Sequence, residues 1–221
     1  MIKLVVTDDG SSTLFVEELN EHYHSTFGAV QESRHIFIEA GFKYQQKSSK
    51  QIKILEIGFG TGLNALLSLD ESLKLEAQTD YCGIEPHPVK PAFISALNYG
   101  KILKSDLLST HFIQLHDASW DRKIKLAPNF IFEKMKNTIE NVELPEHYFN
   151  LVYFDAFGPD VQPEIWTEKI FKNIYDSMES GGVLLTYSVK GIVKRALKST
   201  GFTIEKLPGP IGKREFLRAS K

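Results

Sequence analysis

The stretch Ile54-Leu55-Glu56-Ile57-Gly58-Phe59-Gly60-Thr61-Gly62-Leu63-Asn64 decides how the rest of the chain is read. An apolar run passes directly into three glycines at alternate positions, and the residues from Gly62 to Lys74 carry a helical pattern. This predicts a buried strand, a sharp turn and a helix, with the glycines allowing the backbone to approach a ligand closely. The spacing is G-x-G-x-G, not the G-x-G-x-x-G of pyrophosphate-binding turns. Glu56 precedes the first glycine by two residues. A carboxylate there would repel a diphosphate but suits a sulfonium or an amino group. A dinucleotide site and a purely structural glycine turn are the alternatives.

Outward from this motif, apolar strands alternate with amphipathic helices, the pattern of a mainly parallel sheet covered on both faces. Strands are expected at Ile52 to Ile57, Asp80 to Glu85, Phe130 to Met135, Leu151 to Asp155 and Val183 to Ser188. Helices are expected near Gly62 to Lys74, Val89 to Tyr99, Pro163 to Met178 and Lys190 to Ser199. Thr203 to Lys206 and Arg214 to Leu217 flank a turn with two prolines and two glycines, so they read as an antiparallel hairpin on the sheet edge. Residues 1–50 read as an extension, with a hairpin over Lys3 to Glu18 and a helix from about Ala29 to Tyr44. The expected fold is α/β and Rossmann-like: a mainly parallel seven-stranded sheet ending in an antiparallel hairpin, as in class I S-adenosylmethionine-dependent methyltransferases. Residues 1–221 are read as one domain, with its core at 51–221.

Composition excludes several classes. The 42% hydrophobic and 24% charged fractions are those of a globular chain. One cysteine, Cys82, allows neither an intrachain disulfide framework nor a cysteine zinc cage. No apolar run approaches the roughly 18 residues of a membrane span, and the first ten residues lack signal-peptide character, so no membrane association and a cytoplasmic location are expected. The net charge of −2 is unevenly spread: Lys190 to Lys221 holds nine Lys/Arg against two acids, leaving +7 there and −9 in the rest. Such asymmetry points to a polyanionic partner or to a merely solvated basic face.

Two more carboxylates stand where chemistry is expected. Glu85 ends the second strand, 23 residues after Gly62, close to the offset of about 20 at which an acid meets ribose hydroxyls. Asp155 follows the buried run Leu151 to Phe154, at the carboxyl edge of the sheet where ligands bind. The aromatics around it would form a dry slot for a planar base. The plain alternatives are a solvent-facing strand end for Glu85 and a loop brace for Asp155. Trp120 and Trp166 read as packing residues.

The segments HYHSTFGAVQESRHIFIEAGF (22–42), ILEIGFGTGLN (54–64), DAFGPDVQPEIWT (155–167), GGVLLTYSVKG (181–191) and PGPIGKREFL (208–217) together resemble the methyltransferase domain of the bacterial MnmC family, including its stand-alone MnmD-type members. The resemblance runs in order along nearly the whole chain. It implies S-adenosylmethionine as cofactor and, as the reaction, methylation of the primary amine of 5-aminomethyl(-2-thio)uridine at the tRNA wobble position. It implies cofactor contacts at Glu56, Gly58, Phe59, Gly60, Gly62 and Glu85, and a catalytic role for Asp155. Relatives carry an acid near the adenine where this chain has Lys136-Asn137-Thr138, so Asn137 and Thr138 are the expected neighbours, with Asp117 as the alternative. Tyr23, Ser25, Gly28 and Glu32 are implied beside the pocket, and Phe157 and Tyr187 on its substrate side. Lys194, Lys213 and Arg214, with Lys190, Lys198 and Arg218, would meet phosphates of the anticodon stem-loop. No FAD is expected, because the family's flavin domain lies outside this sequence, and a separate enzyme would supply the aminomethyl group. No metal is expected, since His22-x-His24 lacks a third ligand. The competing readings are a methyltransferase for a small-molecule or protein amine, and a non-catalytic cofactor-binding protein.

Overall fold

The computed structural model describes residues 1–221. The chain opens with a small antiparallel sheet of β1 (Ile2–Val6), β2 (Ser12–Val16) and β3 (Glu21–His22). A continuous helical rod follows, made of α1 (Ala29–Ser33), a π-helical stretch (Arg34–Phe42) and α2 (Lys43–Gln46). Next come β4 (Gln51–Ile57), α3 (Leu63–Leu75), β5 (Gln78–Ile84), α4 (Pro91–Ile94), α5 (Tyr99–Ile102) and α6 (Asp106–Asp117). The remainder is β6 (Ile124–Ala127), β7 (Phe130–Met135), β8 (Phe149–Phe154), α7 (Glu168–Ser177), β9 (Met178–Thr186), α8 (Gly191–Ser199), β10 (Thr203–Pro208) and β11 (Glu215–Ser220).

The main sheet runs β10-β11-β9-β8-β4-β5-β7-β6. Its five central strands are parallel, and β6, β11 and β10 are antiparallel to their neighbours. It has eight strands, one more than expected, because Ile124–Ala127 pairs with β7 at the far edge. The helix expected over Val89 to Tyr99 is instead two short ones, α4 and α5, and α6 had no counterpart in the sequence reading.

β4 shows why the central strands are apolar throughout. Ile54 packs into a core on one face, beneath the rod, α3 and α6, while Leu55 packs into a second core on the other, beneath α7 and α8. A strand covered on both faces has no polar side to display. Every residue of β8 is likewise buried. The π-helical stretch reaches the sheet closely at Gly41, where an added Cβ would lie 3.1 Å from Leu185 and 3.3 Å from Leu151. β4 has β5 on one side and β8 on the other, so connections leave it in both directions. That switch point opens a crevice at the carboxyl ends of the strands.

Candidate active site

β4 and β8 end side by side, and Asp155 N–H continues their ladder by donating to Ile57 O at 2.9 Å. Gly58 has φ 89°, and a Cβ there would lie 2.9 Å from the Ala156 backbone. Only glycine combines that conformation with so close an approach of the two loops. The N–H groups of Gly58 and Phe59 both donate to Ile84 O, at 3.0 and 3.1 Å. Glu85 then fastens the turn from the end of β5: Oε2 accepts from Gly60 N–H at 2.9 Å and Oε1 from His87 N–H at 2.8 Å. Each oxygen retains acceptor capacity, and burial pushes the carboxyl above its usual range.

Asn64, in the first turn of α3, joins two carboxyls. Its Nδ2 donates to Glu56 Oε1 at 2.9 Å and to Asp155 Oδ2 at 2.7 Å. Glu56 is wholly buried, accepts a second bond from Tyr81 OH at 2.7 Å, and is held well above the usual carboxylate range by desolvation. Asp155 is pushed up to about 8, first by burial and then by Glu32, while Asn64 and Lys213 pull it down. Sequence reasoning placed Asn64 in the motif without giving it a role.

A cavity of about 610 Å³ lies over these groups. Its wall contains Tyr23, Ser25, Glu32, Gly58, Gly60, Glu85, Thr138, Asp155, Phe157, Tyr187 and Lys213 from the sequence-derived set. Glu56, Gly62, Asn137, Lys194 and Arg214 are not part of that wall. Glu56 sits behind the turn, and Gly62 caps α3. Phe59 faces a second cavity of about 460 Å³, together with His116, Asp117, Trp120 and Lys134. The rings of Tyr23 and Phe157 meet edge to face at 5.1 Å, and Trp166 Nε1–H braces the loop after Asp155 by donating to Phe157 O at 2.8 Å.

The wall of the larger cavity carries seven acids, Glu21, Glu32, Glu85, Glu140, Asp155, Asp160 and Glu164, against two lysines, Lys190 and Lys213. Such a lining favours cations over phosphates. No group of three or more His, Cys, Asp or Glu is arranged to hold a metal. His24 instead ties the N-terminal sheet to the glycine turn, with Nδ1 3.0 Å from Thr13 Oγ1 and Nε2 3.3 Å from Thr61 Oγ1. Burial pushes it down to about 4, so it is neutral at physiological pH.

A family model described as S-adenosyl-L-methionine-dependent methyltransferase matches residues 104–221, just over half of the chain. The chain belongs to that family. Among proteins similar to this methyltransferase, the tRNA 5-methylaminomethyl-2-thiouridine biosynthesis bifunctional protein MnmC of Aromatoleum aromaticum is 29% identical over 227 residues, covering 98% of this chain and 35% of that protein. Its namesake in Burkholderia pseudomallei is 28% identical over 239 residues, covering 97% and 34%. The chain thus spans about a third of the length of the curated relatives it matches. In fold it is similar to MNMC2 from Aquifex aeolicus, with a TM-score of 0.80 and 24% identity over all of this chain and 70% of that one. It is also similar to spermidine synthase from Thermotoga maritima, with a TM-score of 0.61 and 19% identity over 100% and 69%.

The residues present fit the cofactor of a methyltransferase. The acidic wall suits a sulfonium and an amino group, the turn at Gly58 and Gly60 offers backbone without side chains, and Glu85 has lone pairs left for ribose hydroxyls.

Proposed function

We propose that this chain methylates the primary amine of 5-aminomethyl(-2-thio)uridine at the tRNA wobble position, acting in the cytoplasm as one methyltransferase unit over residues 1–221. The observation that carries the reading is that one cavity wall holds Asp155 together with the aromatic side chains of Phe157, Tyr23 and Tyr187. A flat pyrimidine fits such walls, and a carboxylate fits an amine attached to it. The names of the MnmC relatives support the same substrate class.

Bound S-adenosylmethionine supplies an electrophilic methyl group on a sulfonium. In this reading Gly58 and Gly60 hold its methionine part, Glu85 its ribose, and Thr138 the adenine side. Asp155 accepts the proton that the acceptor amine carries in water and so leaves a nitrogen lone pair for transfer. A carboxyl raised to about 8 is matched to that task near neutral pH. Asn64 fixes the direction of the carboxylate, and Tyr187, whose OH donates to Ala156 O at 2.9 Å, fixes the aromatic wall. Alignment of this kind contributes several kcal/mol, on the order of 7 or more in well-oriented systems.

The anticodon stem-loop is the part of the RNA presented, a separate enzyme supplies the aminomethyl group, and neither FAD nor a metal takes part. The test is nucleoside mass spectrometry of undermodified tRNA incubated with the protein and S-adenosylmethionine. Appearance of the methylaminomethyl nucleoside is expected. Turnover of small amines or proteins without RNA would favour the other methyltransferase reading, and cofactor binding without any product would exclude catalysis.

A further inference from the structure

Lys213 lies in the most basic part of the sequence, at the tip between β10 and β11, yet its side chain turns inward. Its Nζ pairs with Glu32 and lies 4.3 Å from the centroid of the Tyr187 ring. Glu32 is only 7% exposed, and its other oxygen accepts from Ser25 N–H at 2.8 Å. The tip itself is held in place: Lys213 N–H donates to Pro210 O at 2.9 Å, Gly209 N–H donates to Arg214 O at 3.0 Å, and Gly212 lies against the Phe27 ring. By contrast, Lys190 pairs with Asp160 in the open. Lys213 is thus a cation set against a buried acid on the cavity wall that also carries Asp155.

We propose that Lys213 is a positioning residue of the transfer site: its ammonium balances Glu32 and so helps Asp155 reach the carboxylate form that receives the acceptor amine's proton. The proposal rests on the amine-methylation reading above. Without Lys213, Glu32 and Asp155 would be two acids on one wall with no cation between them, and Glu32 would disfavour ionisation of Asp155 unopposed. The groups that act electrostatically on Asp155 are Glu32 from α1, Lys213 from the hairpin tip, Tyr187 from the residue after β9, Glu56 from β4 and Tyr81 from β5, and Asn64 from α3 donates to it. Tyr187 and Tyr81 are neutral, and Glu56 is driven toward its neutral form by burial. The charge felt by Asp155 is therefore set by the Glu32–Lys213 pair, with Glu32 raising its pKa and Lys213 lowering it.

The test uses the full chain and its Lys213→Met, Glu32→Gln and double variants. Asp155 is titrated by ¹³C-carboxyl NMR in RNA-free protein, and the pH profile of single-turnover methylation is followed on an anticodon stem-loop bearing the aminomethyl group. Lys213→Met is expected to move the Asp155 titration and the acidic limb of the rate profile up by about one pH unit, Glu32→Gln to move both down, and the double variant to return them close to wild type. Lys213→Arg, which keeps the charge, is expected to keep the titration. An unchanged Asp155 titration in Lys213→Met, with weaker RNA binding and a shallower salt dependence, would assign Lys213 to phosphate contact and overturn the proposal. A shift in Lys213→Arg as large as in the methionine variant would also overturn it. Because the NMR arm needs no RNA, wild-type protein that fails to methylate the stem-loop would count against the substrate reading, while the titration still decides the role of Lys213.

Discussion

Asp155 ionises at the expense of the fold. Its carboxyl is raised to about 8 in the native chain from an ordinary 3.8, so between those values the folded state holds more protons than the unfolded one. Stability therefore falls as pH rises through that window, and the penalty is complete above about 8. Asp155→Asn keeps an acceptor for Asn64 and removes the charge. It is expected to lower methyl transfer by about 10²–10⁴-fold. In the same variant stability at pH 8.5 should rise by roughly 1–2 kcal/mol, or about 3–6 °C in a chain of this size, with no gain near pH 4. Calorimetry at the two pH values, beside single-turnover rates, checks both halves. Asn64→Leu should do the reverse to the fold, costing about 1–3 kcal/mol in urea unfolding because the buried Glu56 and the half-buried Asp155 lose a donor. Its rate profile should also shift to higher pH, since the hydrogen bond from Asn64 stabilises the Asp155 carboxylate and holds its pKa down. Asn64 was readable as part of a motif but not as a bridge. An asparagine in a first helical turn resembles a local capping residue, and nothing in the sequence says that Glu56 and Asp155, 99 residues apart, reach the same amide.

At the level of elements, the parts buried on two faces were legible and the parts buried on one were less so. β4 and β8 stand out as unbroken apolar runs because cores press on both sides. α6 did not, because Leu108, Phe112 and Leu115 face the core while Leu107 and Ile113 are exposed, which blurs the period into a general apolarity. β6 is four residues on an edge, paired by a bulged register to β7, and alternates too briefly to stand out. α6 still supports the site from behind, since His116 Nε2–H donates to Thr61 O in the glycine turn at 3.1 Å. Its start depends on Ser105, whose Oγ accepts from Leu108 N–H at 3.2 Å. Ser105→Ala is expected to cost about 1 kcal/mol by denaturant titration. Cofactor affinity should be unchanged, because the change loosens the end of the helix that packs against α5 and not the end that touches the turn.

Across the whole molecule the net charge of −2 hides a division of labour. Seven of the 28 acids line the larger cavity, and of the cations in the basic C-terminal segment only Lys190 and Lys213 reach its wall. Of the nine cations from Lys190 to Lys221, Lys190, Lys206, Lys213 and Arg218 are paired with Asp160, Glu215, Glu32 and Glu205. Arg218 also stacks on Tyr44 at 3.8 Å, and Lys221 donates to the carbonyls of Tyr175 and Met178 at 2.7 Å. Lys194, Arg195 and Lys198 on α8, and Arg214 beside the hairpin tip, have no carboxylate partner. In the proposed reading these are the cations offered to RNA, and α8 begins directly after Lys190 on the cavity wall. A stem-loop binding there would neutralise about four phosphates, so log affinity against log salt should fall with a slope of about −3 to −4. Engagement of all nine cations would give about −6 to −8. Filter binding from 50 to 200 mM salt separates the two. Lys194→Glu with Lys198→Glu should weaken binding and flatten the slope by about 2, while leaving cofactor affinity intact. A slope that stays steep in that variant would place the RNA on another face, because the paired cations can join only by giving up the acids that now hold them.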